Sequence, residues 1–303
     1  MVAVCAAACS VSAFDYSVRA DGMVQRERIA RQSQIVHGTA PAPDRYRVLV
    51  PFALQPLISL GATVVGPDSA LKKVYDAYYL AALTLMLWVL TIYLRQWFSL
   101  DLALAGALLV AAVLPITLRQ HFLQPWSLLE PTLLTLGLMC AYRGFAGAIV
   151  PLAILASLNR ETGVLVPLAY LFAAGRDARA WRAGGAAVAV SIAIFVGLRY
   201  ALGPATPYVT LAQIWDTNSS REGTLAAVGN IALFLGGTGW ILAAIGFRSA
   251  PAFTRRAALV SLLYLPVIAV WGVWYEVRLL MPLYPLFLPF VLSAIRPPAE
   301  AVA

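Results

Sequence analysis

Charge is what this chain has least of. Only 12% of its 303 residues are Asp, Glu, Lys or Arg, against roughly 25% in an average soluble domain. Apolar residues make up 61% and the mean hydropathy is +0.79, so a water-soluble globule is excluded. Cysteine is scarce as well: Cys5, Cys9 and Cys140 cannot build a disulfide scaffold. The two histidines, His37 and His121, stand far apart without metal-ligand spacing, so no dedicated transition-metal site is expected. Heptads, a Walker A loop and a GxGxxG fingerprint are all missing, which removes a coiled coil and the common nucleotide folds. Gly236-Gly237-Thr238-Gly239 falls inside an apolar stretch and reads as a place of close helix packing.

What is present is a series of long apolar blocks separated by short charged punctuation. They lie near residues 2–14, 77–94, 100–118, 126–142, 144–158, 162–175, 183–201, 224–247, 257–274 and 279–295. The expectation is an all-α, polytopic transmembrane protein with about nine to ten membrane helices. Residues 1–14 read as a first, shortened transmembrane helix or as the core of a signal peptide, 15–76 as an outer loop with interfacial segments, 77–296 as the helical core and 297–303 as a cytoplasmic tail. The stretch from Val48 to Val65 carries Pro51, Pro56 and Gly61 and is expected to lie in the interface or to re-enter the membrane.

The net charge of +8 is assigned to topology and not to a nucleic-acid partner. Arg176, Arg179 and Arg182 form one short-loop cluster and Arg248, Arg255 and Arg256 another, which marks their side as cytoplasmic in a bacterial inner membrane. The opposite side then receives residues 15–76, the turn from Arg119 to Trp126, the turn at Asn159-Arg160-Glu161, residues 202–223 and the turn from Trp274 to Arg278.

Ionisable residues at membrane depth are costly, about 2.5–3.5 kcal/mol each at the bilayer centre, and so carry the functional information. Asp15, at the end of the first helix, reads either as a helix cap or as a general base whose pKa is lifted by partial desolvation; Asp21 is a weaker candidate. Arg45 and Arg47 offer bidentate donors to a phosphate, whether of bulk lipid or of a reacting lipid. Glu130 lies inside an apolar block. Asn159, Arg160 and Glu161 sit between two short helices, with Glu276 and Arg278 expected at equivalent depth, so that one of the former pair meets one of the latter. Tyr275, beside Trp271 and Trp274, suits an interfacial aromatic belt or a sugar-stacking platform.

Taken in order, Asp15, Gly38-Thr39-Ala40-Pro41, Arg45-Tyr46-Arg47-Val48-Leu49-Val50-Pro51, Leu158-Asn159-Arg160-Glu161-Thr162-Gly163 and Tyr275-Glu276-Val277-Arg278-Leu279-Leu280-Met281-Pro282 give a pattern that resembles the GT-C superfamily of integral membrane glycosyltransferases. The resemblance implies a polyprenyl-phosphate-linked sugar donor and a catalytic Asp15 that deprotonates the acceptor hydroxyl. It further implies inversion at the anomeric carbon, with Arg47, Arg160 or Arg278 stabilising the departing phosphate. The chain departs from that pattern in carrying a lone Asp where an acidic pair follows the first helix. A divalent cation is left open, and membrane lipids are the other expected partners. Two other classes fit parts of the pattern: a transporter or lipid flippase, and a non-catalytic membrane scaffold with structural ion pairs.

Overall fold

The computed structural model describes residues 22–117, 124–175 and 177–298, together with Ala6. The chain is all-α, 82% helical, with no strands among the described residues. Four helical stretches are long and apolar enough to cross a membrane: Pro67–Leu94, Ala178–Leu202, Ala252–Trp271 and Val277–Ile295. Leu49–Val65, Leu100–Pro115, Ala146–Asn159 and Glu161–Ala174 are apolar but shorter.

Helix α1 (Gly22–Val36) is markedly polar. It docks through residues 25, 28, 32 and 35, a spacing that puts them on one face. Ile35 is buried, the Gln32 amide donates to the Pro51 carbonyl (3.0 Å) and to Gln55 (2.9 Å), and Tyr75 donates to Gln32 (2.5 Å). Its dock is a hairpin of α2 (Leu49–Val65) and α3 (Pro67–Leu94). The turn is Gly66, whose φ of +81° suits only glycine without strain, followed by Pro67 at the first helical position. Thus α3 begins ten residues before the apolar stretch at 77, and the segment 15–76, read as an outer loop with interfacial segments, holds among its described residues two helices and the start of a third. The i,i+4 pair of Lys72 and Asp76 (2.6 Å) supports that polar first portion. Phe52, Leu57, Leu60 and Val64 leave α2 with an exposed apolar face, the kind of surface that lipid covers.

The buried stripe of α3, Tyr75, Tyr79, Leu83, Leu87, Leu90 and Leu94, packs against α2, α4 (Leu100–Thr117) and α5 (Leu129–Arg143). The next helices are α6 (Ile149–Asn159), α7 (Leu165–Ala174) and α8 (Ala178–Leu202), with α6 packed on both α5 and α8. α8 is capped by Asp177, which accepts from the Arg179 amide (2.9 Å), and it is the span least covered by protein. Two shorter helices follow, α9 (Leu211–Ser219) and α10 (Arg221–Leu233), then α11 (Gly239–Gly246). The apolar stretch 224–247 is therefore not one span: Gly236 and Gly237, at φ +69° and +78°, break it. Those glycines end a helix where the sequence suggested packing inside one. α12 (Ala252–Ala257), α13 (Ser261–Trp271) and α14 (Tyr284–Ile295) complete the bundle, α11 lying against α14.

Candidate functional site

Four connections between these helices meet at one place: the turn Asp44–Tyr46 before α2, the turn Pro125–Leu128 before α5, the link between α6 and α7, and the turn Val277–Leu283 before α14. All belong to loops that the sequence assigned to one side. Arg160 leaves α6 in extended conformation (φ −159°, ψ 151°), and its carbonyl accepts from the Gly163 amide (2.9 Å), so the chain turns at once into α7. A Cβ on Gly163 would overlap the Ala156 carbonyl, which explains why this tight link ends in Thr-Gly.

Arg47 is the centre of the cluster and is 5% exposed. Its Nε and one terminal nitrogen form a fork on the two carboxylate oxygens of Glu161, the Nε bond being 3.0 Å. The other terminal nitrogen donates to Asp44 (3.2 Å) and to the side-chain amide oxygen of Gln124 (3.3 Å). The guanidinium carbon lies over Trp126, 5.0 Å from the ring centre, and Trp126 itself donates to the same Gln124 oxygen (2.9 Å). Arg31, from α1, closes the cluster on Asp44 (2.8 Å). Asp44 lies outside the spans; burial pushes its carboxyl above the ordinary value, outweighing the pull of Arg47 and Arg31 in the other direction.

Beside this cluster Arg160 pairs with Glu130, and the Thr162 hydroxyl donates to the other Glu130 oxygen. Glu130 lies in the first turn of α5, where the helix dipole favours an anion. Asn159 anchors the link by donating to the Trp126 carbonyl (3.0 Å). Arg278 pairs with Glu276 (2.6 Å) and lies within electrostatic reach of Asp44, Arg47 and Arg160. The pairing is therefore Arg47 with Glu161, Arg160 with Glu130 and Arg278 with Glu276; neither Arg160 nor Glu161 is paired with the carboxyl-terminal residues, contrary to the sequence expectation. The physical reason is that Arg47 for Glu161 and Glu130 for Arg160, close in space and remote in sequence, offer nearer partners.

Arg45 and Tyr275 are not brought into this network. Arg45 donates to the Pro204 carbonyl (2.8 Å), which with the Ala42 and Pro207 backbone bridge fastens the segment before α2 to the loop after α8. Tyr275 is half exposed and its carbonyl accepts from Asn230 (2.9 Å). Asp15 and Asp21 lie outside the described residues. Among the described residues no group of three or more His, Cys, Asp and Glu side chains is placed to hold a metal ion.

The sequence reading passed over Asp44, Arg31, Gln124, Trp126 and Arg199. The signal for Asp44 was local: a carboxylate three residues before Arg47 meets it across one helical turn. Arg199 had no such signal. It folds onto its own helix, donating to the Phe195 carbonyl (3.1 Å) and lying over the Phe195 ring (3.4 Å to the ring centre) and the Tyr46 ring (4.6 Å), and among the described residues it forms no ion pair. Arg160, Glu161 and Arg199 line a cavity of about 360 Å³ together with Ile192, Phe195 and Val196, which are exposed on α8, the helix that also carries Arg199.

No known protein family, curated protein or solved structure matches this chain.

Proposed function

We propose that the chain is a multi-pass inner-membrane glycosyltransferase of the GT-C kind, with the shorter apolar helices completing a set of about nine to ten spans. It takes a sugar from a polyprenyl-phosphate-linked donor and passes it to an acceptor at the outer face. The observation that supports this reading is the meeting of Arg47, Arg160 and Arg278, each held by a carboxylate, beside a cavity lined both by arginine and by apolar side chains. Such a site has the polarity of a lipid phosphate. In the reaction Asp15 takes the proton of the acceptor hydroxyl, whose oxygen forms a bond to the anomeric carbon as the bond to the phosphate oxygen breaks. The polyprenyl phosphate departs with the electron pair, and a fixed guanidinium field stabilises its charge without reorganisation. The test is transfer of a radiolabelled sugar from a polyprenyl-phosphate donor by the reconstituted full chain and by Asp15→Asn. Loss of transfer with unaltered folding is expected; transfer retained by the variant removes Asp15 from the mechanism.

A second reading, a non-catalytic membrane scaffold, is favoured by one observation: four of the five N–H groups of Arg47 already have protein acceptors. A cation so engaged has little left for a substrate. Alanine at Asp15, Arg160 and Glu276 together, with the phenotype of the host unchanged and the protein folded, decides for the scaffold.

A further inference from the structure

Helix α1 is held to the bundle differently from its neighbours. Over residues 25–36 the only buried apolar side chain is Ile35, whereas α3 buries a full stripe of them. Arg26, Glu27, Ser33, Gln34 and His37 are exposed, as on a helix in water. The contacts that hold α1 are polar: Gln32 on the Pro51 carbonyl and Gln55, Tyr75 on Gln32, and Arg31 on Asp44. The Arg31 guanidinium carbon also lies 5.0 Å from the Tyr208 ring centre. Hydrogen bonds of this kind are exchanged for bonds to water when a helix leaves, so each contributes little net. An element with few buried apolar contacts opens at a smaller free energy than the core it rests on. α1 also closes its own end, the Gly38 amide donating to the Ile35 carbonyl (3.0 Å) and the Thr39 amide to the Gln34 carbonyl (2.8 Å). Beyond it Ala40 is buried, and the Ala42 amide and carbonyl are bonded to the Thr206 carbonyl and the Tyr208 amide (2.8 Å each). The part able to lift therefore ends near residue 39.

One buried group works against the dock. Arg28 is 2% exposed, yet its Nε and one terminal nitrogen have no hydrogen-bond partner. Its guanidinium carbon lies 5.4 and 5.6 Å from the ring centres of Tyr75 and Tyr79, and Asp76, 4.0 Å away, is itself held by Lys72 (2.6 Å). The Gln25 side-chain oxygen is buried without a partner too. Desolvated groups left unmatched oppose the state that buries them, and water matches both once α1 lifts. We propose that α1 is a strap that lifts from the α2–α3 hairpin as one unit, latched by Arg31 on Asp44 and loaded toward opening by the buried Arg28. Asp44 is the member of the Arg47 cluster that α1 touches, so lifting removes one of its two arginine partners and lets water reach it. Opening of this kind controls access to the ionic cluster whatever the site binds, and so goes beyond the transferase reading.

The experiment is hydrogen exchange of the full chain in phosphatidylcholine nanodiscs, read by mass spectrometry over residues 25–36 and over α3. The amides of 25–36 should share one opening and exchange at least about a hundredfold faster than those of α3. Arg31→Gln, which removes the latch, should speed exchange over 25–36 about tenfold, the scale of a hydrogen bond to a charged group. Arg28→Met keeps the length of the side chain and removes the unmatched donors, and should slow it about tenfold. Exchange in α3 and α5 should be unchanged in both variants, which separates opening of α1 from loss of the fold. Labelling of the Asp44 carboxyl by a water-soluble carbodiimide should follow the same order: Arg31→Gln fastest, wild type between, Arg28→Met slowest. Protection of 25–36 equal to that of α3, faster exchange in Arg28→Met, or Asp44 labelling that does not follow the opening of α1 would each overturn the proposal. None of these readouts requires sugar transfer, so they separate from the Asp15 assay.

Discussion

Replacing Glu130 with alanine strands a buried cation. The side chains of Arg160 and Glu130 are only 4% and 7% exposed, and with Glu130 gone no other carboxylate is paired with Arg160 among the described residues. Breaking one half of a buried ion pair costs about 3–5 kcal/mol, because the remaining charge is left desolvated. The Thr162 hydroxyl loses its acceptor too, adding about 1 kcal/mol. The expected destabilisation of E130A is therefore about 4–6 kcal/mol. The companion variant Glu130→Met/Arg160→Met removes both charges and keeps the volume, and should cost no more than about 1 kcal/mol, since buried pairs are often replaceable by apolar residues. The assay is equilibrium unfolding in mixed micelles as the denaturing detergent is raised, read by tryptophan fluorescence, for the wild type, both single variants and the double. If E130A costs under about 1 kcal/mol, or if the double variant costs the sum of the singles, the pair is not the coupled unit described above.

Three further outcomes follow from the packing and the charges. Gly163→Ala should destabilise by about 1–3 kcal/mol as the added methyl overlaps the Ala156 carbonyl, lowering the melting temperature and loosening the link that carries Arg160. Gly246→Ala drives a methyl against the Phe290 carbonyl and to 2.6 Å from the Ala294 amide, so it should separate α11 from α14, measured as faster hydrogen exchange in both helices. Because burial holds the Asp44 carboxyl above its usual range, its protonation favours the folded state. That stability is fully present below about pH 4, the unfolded carboxyl value, and is lost as pH rises through the folded one. Relative to Asp44→Asn, the wild type should thus lose stability as pH climbs above about 4; the opposite slope would show that Arg31 and Arg47 outweigh burial.

The helical class was legible because apolar runs of helical length leave no other way to satisfy the backbone. Spans at 77–94, 183–201, 257–274 and 279–295 correspond to the four long apolar helical stretches, each within a continuous or nearly continuous helical segment. The run 224–247 failed because hydropathy does not register the left-handed conformation of Gly236 and Gly237. For the site, the rule that ionisable residues in apolar surroundings cluster was sufficient to select Arg47, Glu130, Arg160 and Glu161 from the sequence. It was not sufficient to pair them. Pairing depends on which loops abut, and Asp44 reaches Arg47 through a turn while Glu130 reaches Arg160 across thirty positions of chain. Tyr275 and Arg45 were read from neighbouring residue types, and their contacts are set by the backbone of remote loops.

The ion pairs also bear on what the site can do. Arg31, Arg47, Arg160 and Arg278 face Asp44, Glu130, Glu161 and Glu276, so the network is balanced and its arginines are fixed in place. A balanced network is a poor trap for an anion and a good frame for one, because every guanidinium is already oriented. Glu130 holds Arg160 through one oxygen and accepts from Thr162 through the other, so this carboxylate fixes the link between α6 and α7. E130Q, which keeps the side chain's shape while removing its charge, should loosen that link, measured as faster hydrogen exchange over residues 160–164 in the folded protein. Exchange at the wild-type rate in folded E130Q would mean that the charge of Glu130 does not hold the link.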